Sequence, residues 1–221
     1  SEMCSRDSLS AFSHPTRHVG GDFYDFLKKP GAGFTGVLAD VSGKGISAAL
    51  LSSLVQGSLQ MEFRSGVPVH ESIARVHLYL CEKSRSNRFV TLFFFSFGED
   101  GLGEYVSAGH NPAYLYRDET GTIEELPARD LVLGAFTFAT YQSVPVQFHP
   151  GDVLVVYSDG ITEAENPHDE MFGEDRFKEI ICEYASAGCA QLEDQILESI
   201  REFTEGMAQT DDMTCVIIQK I

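Results

Sequence analysis

The sequence predicts an α+β fold. Apolar residues recur with a period of two in blocks of consecutive segments and at helical spacing in two separate pairs of segments, and the two patterns do not alternate singly as in a parallel βαβ protein. In chain order, Ser8–Ser13 alternates, Gly20–Leu27 (GGDFYDFL) is rich in aromatic residues, and Phe34–Ala39 is the next apolar run. With Lys28-Lys29-Pro30-Gly31 as a turn, these read as a strand meander. Ile46–Phe63 and Pro68–Lys83 carry apolar residues at helical spacing and predict two successive helices. From Arg88 the period returns to two. RFVTLFFFSF, EYVSAG, AYLYR, TIEEL, YQSVPVQF and VLVVYSDG, punctuated by Gly and Asp, read as a series of antiparallel hairpins. Helices over Phe172–Ala185 and Gln191–Glu205 and a last strand in DDMTCVIIQKI complete the pattern. No internal repeat or low-complexity linker interrupts it, so residues 1–221 are expected to form a single domain.

Composition bounds the chemistry. The chain has 221 residues, 43% of them hydrophobic, enough to bury a large core. Its formal charge is -17, and the excess is concentrated toward the end: residues 151–221 hold 17 acids against 4 bases. Such a charge repels nucleic-acid phosphate and anionic membrane, which excludes both as expected partners and leaves room for bound cations. The five cysteines form an odd set without a CxxC pair, which argues against a disulfide framework or a zinc knuckle, and they read as small buried apolar residues. No window approaches the roughly 20 apolar residues of a membrane span, and the start has no signal-like pattern, so a cytoplasmic location is expected.

Four places set aspartate where a strand begins or ends: Asp22 in GGDFYD, Asp40 in LADVSGKG, Asp159 in VVYSDG, and Asp211-Asp212 in QTDDMT. One such residue is ordinary turn chemistry. Four together, three of them beside long apolar strands that must be central, point to carboxylates converging on one edge of a core. Converging carboxylates raise one another's pKa unless a cation sits among them. An all-oxygen donor set suits hard ions such as Mg²⁺ or Mn²⁺, and no His or Cys falls beside enough of these positions to make a zinc site. Two such ions about 3.5–4 Å apart turn a shared water into a nucleophile for phosphorus at neutral pH, so the implied substrate is a phosphate ester. Gly43 and Gly45 permit a tight turn after Asp40, and the helix begun near Ile46 points its N-terminal amides back toward the same place.

HVGGDFYDF, LADVSGKGISAALL, SAGHNPAYLY, LVLGAF, HPGDVLVVYSDGITEAEN, MFGEDRF and DDMT follow one another across nearly the whole chain. In this order the motifs resemble the SpoIIE/RsbU branch of the PPM (type 2C) metal-dependent serine/threonine protein phosphatases. The resemblance implies a four-layer α/β/β/α sandwich with two central antiparallel sheets, a site holding two Mn²⁺ or Mg²⁺ ions, and hydrolysis of phosphoserine or phosphothreonine in bacterial signalling. Matched by position, Asp22, Asp40, Asp159 and Asp211 are the expected catalytic metal ligands, Val41 lends a main-chain carbonyl, and Asp25 and Asp212 are expected around them. The expected substrate is a phosphorylated anti-sigma-factor antagonist of the STAS type. An upstream regulatory domain in a longer protein is expected too, with Ser1–Met3 foreign to the catalytic part, as is a possible homodimer through the first helix pair.

The chain departs from the wider family in two places. Ser42 stands where eukaryotic members carry a histidine credited with protonating the leaving group. The arginine that grips phosphate in those members has only Arg17, five residues before Asp22, as a candidate, with Lys44 as a second substrate-binding candidate. His110 and Asn111 read as shaping a bend between strands, and the acids of ITEAENPHDE as a solvated flap. A nucleotide loop is excluded because GxxxxGK[ST] fails at Leu38 and Gly45. The alternative from another class is a phosphatase-like module that has lost catalysis and binds a partner, which predicts missing ligand acids, whereas all four are present.

Overall fold

A computed structural model describes residues 7–27, 34–83 and 88–221; the expected turn at Lys28–Gly31 and the first six residues lie outside them. Ten strands and four α-helices follow one another as β1 (Asp7–His14), β2 (Phe23–Phe26), β3 (Phe34–Val41), α1 (Ile46–Phe63), α2 (Val69–Lys83), β4 (Val90–Phe97), β5 (Leu102–Ala108), β6 (Ala113–Arg117), β7 (Thr122–Leu126), β8 (Val144–Gln147), β9 (Val153–Tyr157), α3 (Glu174–Tyr184), α4 (Cys189–Thr204) and β10 (Met213–Lys220). The fold is α+β, with two antiparallel five-stranded sheets, and the chain divides into two compact units that each hold one sheet and one helix pair.

One unit carries the sheet β2-β3-β4-β5-β8 with α1 and α2. β3 and β4 are apolar nearly throughout and buried along almost their whole length, as central strands are. Alternation sends Val37, Ala39 and Val41 toward the helices, where they meet Ala48, Val55 and Leu59 of α1 and Ile73 and Val76 of α2. The Phe93–Phe97 run is core, as expected: Phe94 stacks on Phe63 of α1 at 4.9 Å, and Phe93 stacks on Tyr105 at 5.3 Å.

The other unit carries the sheet β1-β10-β9-β6-β7 with α3 and α4. Phe177 and Ile181 of α3 and Leu192, Ile196 and Ile200 of α4 close over Tyr114, Val155, Tyr157, Cys215 and Ile217. Tyr157 donates its hydroxyl hydrogen to Tyr114 at 2.9 Å, so both buried phenols are satisfied inside the core.

Strand pairing departs from the expected meander and hairpin series. β1 pairs not with β2 but with the last strand, β10, and β5 and β6 part company at SAGHNP, β5 pairing with β8 and β6 with β9. Pro112 lacks the N–H that a continuing ladder needs, and Gly109 turns the chain with φ 63. The cysteines also differ from expectation: Cys189 and Cys215 are buried, but Cys182 is exposed on α3 and Cys81 is half-buried. No described helix is long and apolar enough to cross a membrane.

Candidate active site

The acids singled out in the sequence lie at strand ends in both units, one group in each. In the first, β2 pairs with β3 so that Phe23 faces Ala39. The next rung sets Asp22 directly across from Asp40, and the one after it sets Gly21 across from Val41. The backbone there is so close that a Cβ on Gly21 would stand 2.7 Å from the Val41 carbonyl oxygen. Two carboxylates on facing positions of neighbouring strands repel each other, and the Oδ2 of Asp22 is also closed off from solvent. Two facing carboxylates beside a main-chain carbonyl form an oxygen set that suits a hard divalent cation. Gly43 and Gly45 take φ 97 and 78, the turn expected of them, before α1 begins.

The second group is braced by hydrogen bonds. β9 and β10 pair with Tyr157 facing Cys215, so Ser158 faces Thr214 and Gly160 faces Asp212. Ser158 is fully buried: its N–H donates to the Thr214 carbonyl at 2.9 Å, and its hydroxyl accepts from the Thr214 N–H at 2.9 Å and donates to the Asp212 carbonyl at 3.2 Å. A Cβ on Gly160 would stand 2.2 Å from the Asp212 carbonyl oxygen, so only glycine lets the segment after Asp159 lie against the Asp211-Asp212 segment. Asp159 is half-buried, and its carbonyl accepts from Glu163 N–H at 2.8 Å, which folds SDGITE into a tight turn. Asp211 accepts the Asp212 N–H at 2.9 Å on Oδ1. Asp212 is buried, and its Oδ1 accepts both the N–H and the hydroxyl of Thr16, at 2.7 and 2.9 Å.

Other expected site residues have plainer positions. Asp25 stands three residues beyond Asp22 and so faces the opposite side of the strand, where its Oδ2 accepts from Gln56 at 3.1 Å and Gln60 at 2.7 Å, tying β2 to α1. Arg17 and Lys44 are exposed. Ser42 accepts the Phe89 N–H on its hydroxyl at 2.9 Å. The acids Glu163, Asp169 and Glu170 of ITEAENPHDE are exposed, as expected, while Asn166 in the same segment is buried and its Oδ1 accepts the N–H groups of His168 and Glu170 at 2.9 and 3.0 Å. Among the described residues no three His, Cys, Asp or Glu side chains are gathered into a ready-made ion cage.

Two residues near the first group carried no sequence signal strong enough to select them. His110 is buried, and its Nδ1 shares a 2.9 Å hydrogen bond with the hydroxyl of Thr91, the residue that faces Asp40 across the β3–β4 ladder. Arg88 lies beside the turn that follows Asp40, its Nη2 donating to the Ser47 hydroxyl at 3.0 Å. Both are brought beside Asp40 or the turn after it by the pairing of β3 with β4, strands separated in the chain by α1 and α2, so no local pattern announces either.

Comparison with known proteins adds family and fold. The sequence profile described as Stage II sporulation protein E (SpoIIE) matches residues 30–220. Phosphoserine phosphatase RsbU of Bacillus subtilis (strain 168) is 26% identical over 213 residues, covering 96% of this chain and 63% of its own length. Phosphoserine phosphatase RsbP of the same organism is 23% identical over 215 residues, covering 95% of this chain and 51% of its own length. This chain thus spans about half to two thirds of the length of either relative. Among solved structures, the SiaA-PP2C domain of Pseudomonas aeruginosa superposes with a TM-score of 0.84 at 18% identity, over 96% of this chain and 85% of that one. The PP2C phosphatase domain of SpoIIE from Bacillus subtilis, solved with a fragment of its regulatory domain, gives 0.82 at 21% identity over 97% of this chain and 63% of that one. At those identities the likeness is one of fold, the PP2C fold.

Proposed function

This chain belongs to the SpoIIE family, and we propose that it is a Mn²⁺/Mg²⁺-dependent protein phosphatase acting on phosphoserine or phosphothreonine. The observation that carries the reading is the facing pair Asp22 and Asp40 with the Val41 carbonyl held against Gly21, an arrangement of like charges that asks for a cation. Relatives named as phosphoserine phosphatases support the reaction class. In this proposal Asp22, Asp40 and the Val41 carbonyl are metal ligands in one unit and Asp159 and Asp211 are metal ligands in the other, for Mn²⁺ or Mg²⁺ ions. When bound, such ions supply Lewis acidity and a water of lowered pKa.

The residues of the chain do the rest. Gly21 and Gly160 fix the main chain under the acids, and Ser158 locks the Asp211-Asp212 segment to β9. Asp212 spends its Oδ1 on Thr16 and thus acts as a brace for its neighbour Asp211. Asp25 is a brace of another kind, holding β2 to α1.

The finer parts of the proposal are a STAS-type anti-sigma-factor antagonist as substrate, a cytoplasmic bacterial signalling pathway and a regulatory domain elsewhere in the longer protein. Support comes from the partial coverage of RsbU and RsbP, and from a solved Mycobacterium tuberculosis protein, Rv1364c, in which RsbU and RsbW domains share one chain. Self-association through α1 belongs to the same proposal, supported by the exposed Ile46, Leu50 and Met61 on that helix.

The test is hydrolysis of an aryl phosphate and of a phosphoserine peptide with EDTA and then with added Mn²⁺. Activity is expected to vanish on chelation and return with the metal, and Asp40→Asn or Asp159→Asn is expected to abolish it while circular dichroism stays that of the folded domain. Full activity in either variant refutes the assignment.

A further inference from the structure

Arg88 precedes β4 and faces Gly43. The β3–β4 register continues past Val41 and Val90 through the Ser42 N–H, which donates to the Phe89 carbonyl at 3.0 Å, so the next rung sets Arg88 opposite Gly43. Its guanidinium lies flat beside that glycine: a Cβ there would stand 3.7 Å from Nη1, 3.8 Å from Cζ and 3.9 Å from Nη2. Nη2 is tethered to the Ser47 hydroxyl at 3.0 Å. Nη1 is closed off from solvent and reaches no acceptor among the described residues. A buried N–H of a charged group without an acceptor is costly, and folded proteins rarely leave one so.

The rest of the molecule makes this more telling. Arg117 is closed by Asp152 at 2.7 Å and by Glu124, and Lys178 by Glu125 at 2.6 Å and Glu174 at 3.4 Å. In a chain of 33 acids and 16 bases, Arg88 has no carboxylate at ion-pair distance among the described residues. Its charge stands against Gly43, two positions along the chain from Val41. The guanidinium fork matches the oxygens of a tetrahedral anion better than any other side chain.

We propose that Arg88 is a substrate-contacting residue of this site, its guanidinium taking an oxygen of the substrate's phosphoryl group while Ser47 holds Nη2. The proposal rests on the phosphatase reading above. It replaces Arg17, which is exposed, as the arginine of the site. It also gives Gly43 a second purpose, since any side chain at that position would cover the face of the guanidinium.

The experiment has two arms. In the first, the Mn²⁺-loaded domain is treated with phenylglyoxal with and without inorganic phosphate, and labelling of each arginine is read by peptide mass spectrometry. Phosphate is expected to protect Arg88 while exposed Arg64 and Arg201 are labelled as before, and acetate at the same concentration is expected not to protect it. Equal labelling with and without phosphate, or equal protection by acetate, overturns the proposal. In the second arm, Arg88→Ala is expected to raise both the KM for a phosphoserine peptide and the inhibition constant of inorganic phosphate about tenfold or more, with Arg88→Lys between it and the native domain. The Mn²⁺ concentration for half-activation is expected to stay within about twofold, because the charge acts on substrate and not on the ligand acids. An unchanged phosphate inhibition constant beside a shifted Mn²⁺ requirement makes Arg88 a prop for the loop and overturns the proposal. A domain inert toward phosphopeptide but protected at Arg88 keeps the anion contact and retires the phosphatase reading; turnover with an unprotected Arg88 does the reverse.

Discussion

The two groups of acids, one in each unit, are held by different means. Asp22 and Asp40 come from neighbouring strands of one hairpin, and backbone shape sets them face to face, with Gly21 pressed on the Val41 carbonyl. Asp159 and Asp211 come from distant segments: Ser158 and Asp212, which join them, are 54 residues apart, and Thr16, which braces Asp212, is 196 residues from it. The local group relies on register, while the remote group needs a hydroxyl clamp and a threonine to close it. On the proposed function, loss of one of these acids should be equally ruinous in either unit, whereas damage to the supports should separate them.

Asp40→Asn and Asp159→Asn sit at the top of that order, with activity abolished in both. If one of the two retained substantial turnover, that acid would not be one the reaction needs and the comparison would break. Next come the glycines. Gly21→Ala and Gly160→Ala force the main chain away from carbonyl oxygens that a Cβ would approach to 2.7 and 2.2 Å. A displacement on the order of 1 Å at a reacting centre costs roughly 100-fold in rate. Steady-state kinetics at saturating Mn²⁺ should register that loss for both variants, with Gly160→Ala the worse because its clash is the closer.

The clamp gives a smaller effect that belongs to one group only. Ser158→Ala strands the Thr214 N–H and weakens the hold on the Asp212 carbonyl, both buried, and should cost about 1–3 kcal/mol of stability. Chemical denaturation would measure it. The same substitution should raise the Mn²⁺ requirement, since Asp211 then wanders with its neighbour. A variant that loses stability with an unshifted metal requirement would show that the clamp serves the sheet and not the site.

How much of this was legible beforehand follows the same division. DVSGKG announced the strand end at Asp40 and the turn after it because strand, turn and helix onset are adjacent, and local periodicity and glycine chemistry act over a few residues. The helix over Ile46–Phe63 and the burial of Phe93–Phe97 were legible for that reason. The β1–β10 pairing was not, because alternation marks a strand without naming its partner, and the partner here lies at the far end of the chain. Nor were the tie of Asp25 to Gln56 and Gln60, which depends on how α1 lies on β2, or the place of Arg88, which depends on a register no local pattern fixes. The exposed Cys182 was misread because cysteine is on average a buried residue, and a position on α3 overrides that average.

The smallest expected effect contrasts the cores of the two units. In the unit of β9 and β10 the buried ionisable pair is Tyr114 and Tyr157, both pushed upward by burial, Tyr157 to about 12, so neither titrates near neutrality. In the other unit His77 is buried under α2, and its Nδ1 accepts the Gly134 N–H at 3.0 Å, which places the ring proton on Nε2, 3.6 Å from Cys81 Sγ. Burial lowers its pKa below 6.5, with the Phe136 backbone opposing in part. A proton on Nδ1 would also set a donor against a donor. The neutral ring is therefore the native form. Its contribution is complete above pH 6.5 and is lost as pH falls from there toward the depressed folded value, by at most about 1.4 kcal/mol per pH unit. Denaturant melts at pH 7.5 and 5.5 should show this loss in the native chain and a flatter dependence in His77→Gln. Hydrogen exchange should find α2 and the Gly134 loop opening at the lower pH before β9 and β10 do. Equal slopes for the two proteins, or loss of protection beginning in β9 and β10, would assign the acid sensitivity to other groups.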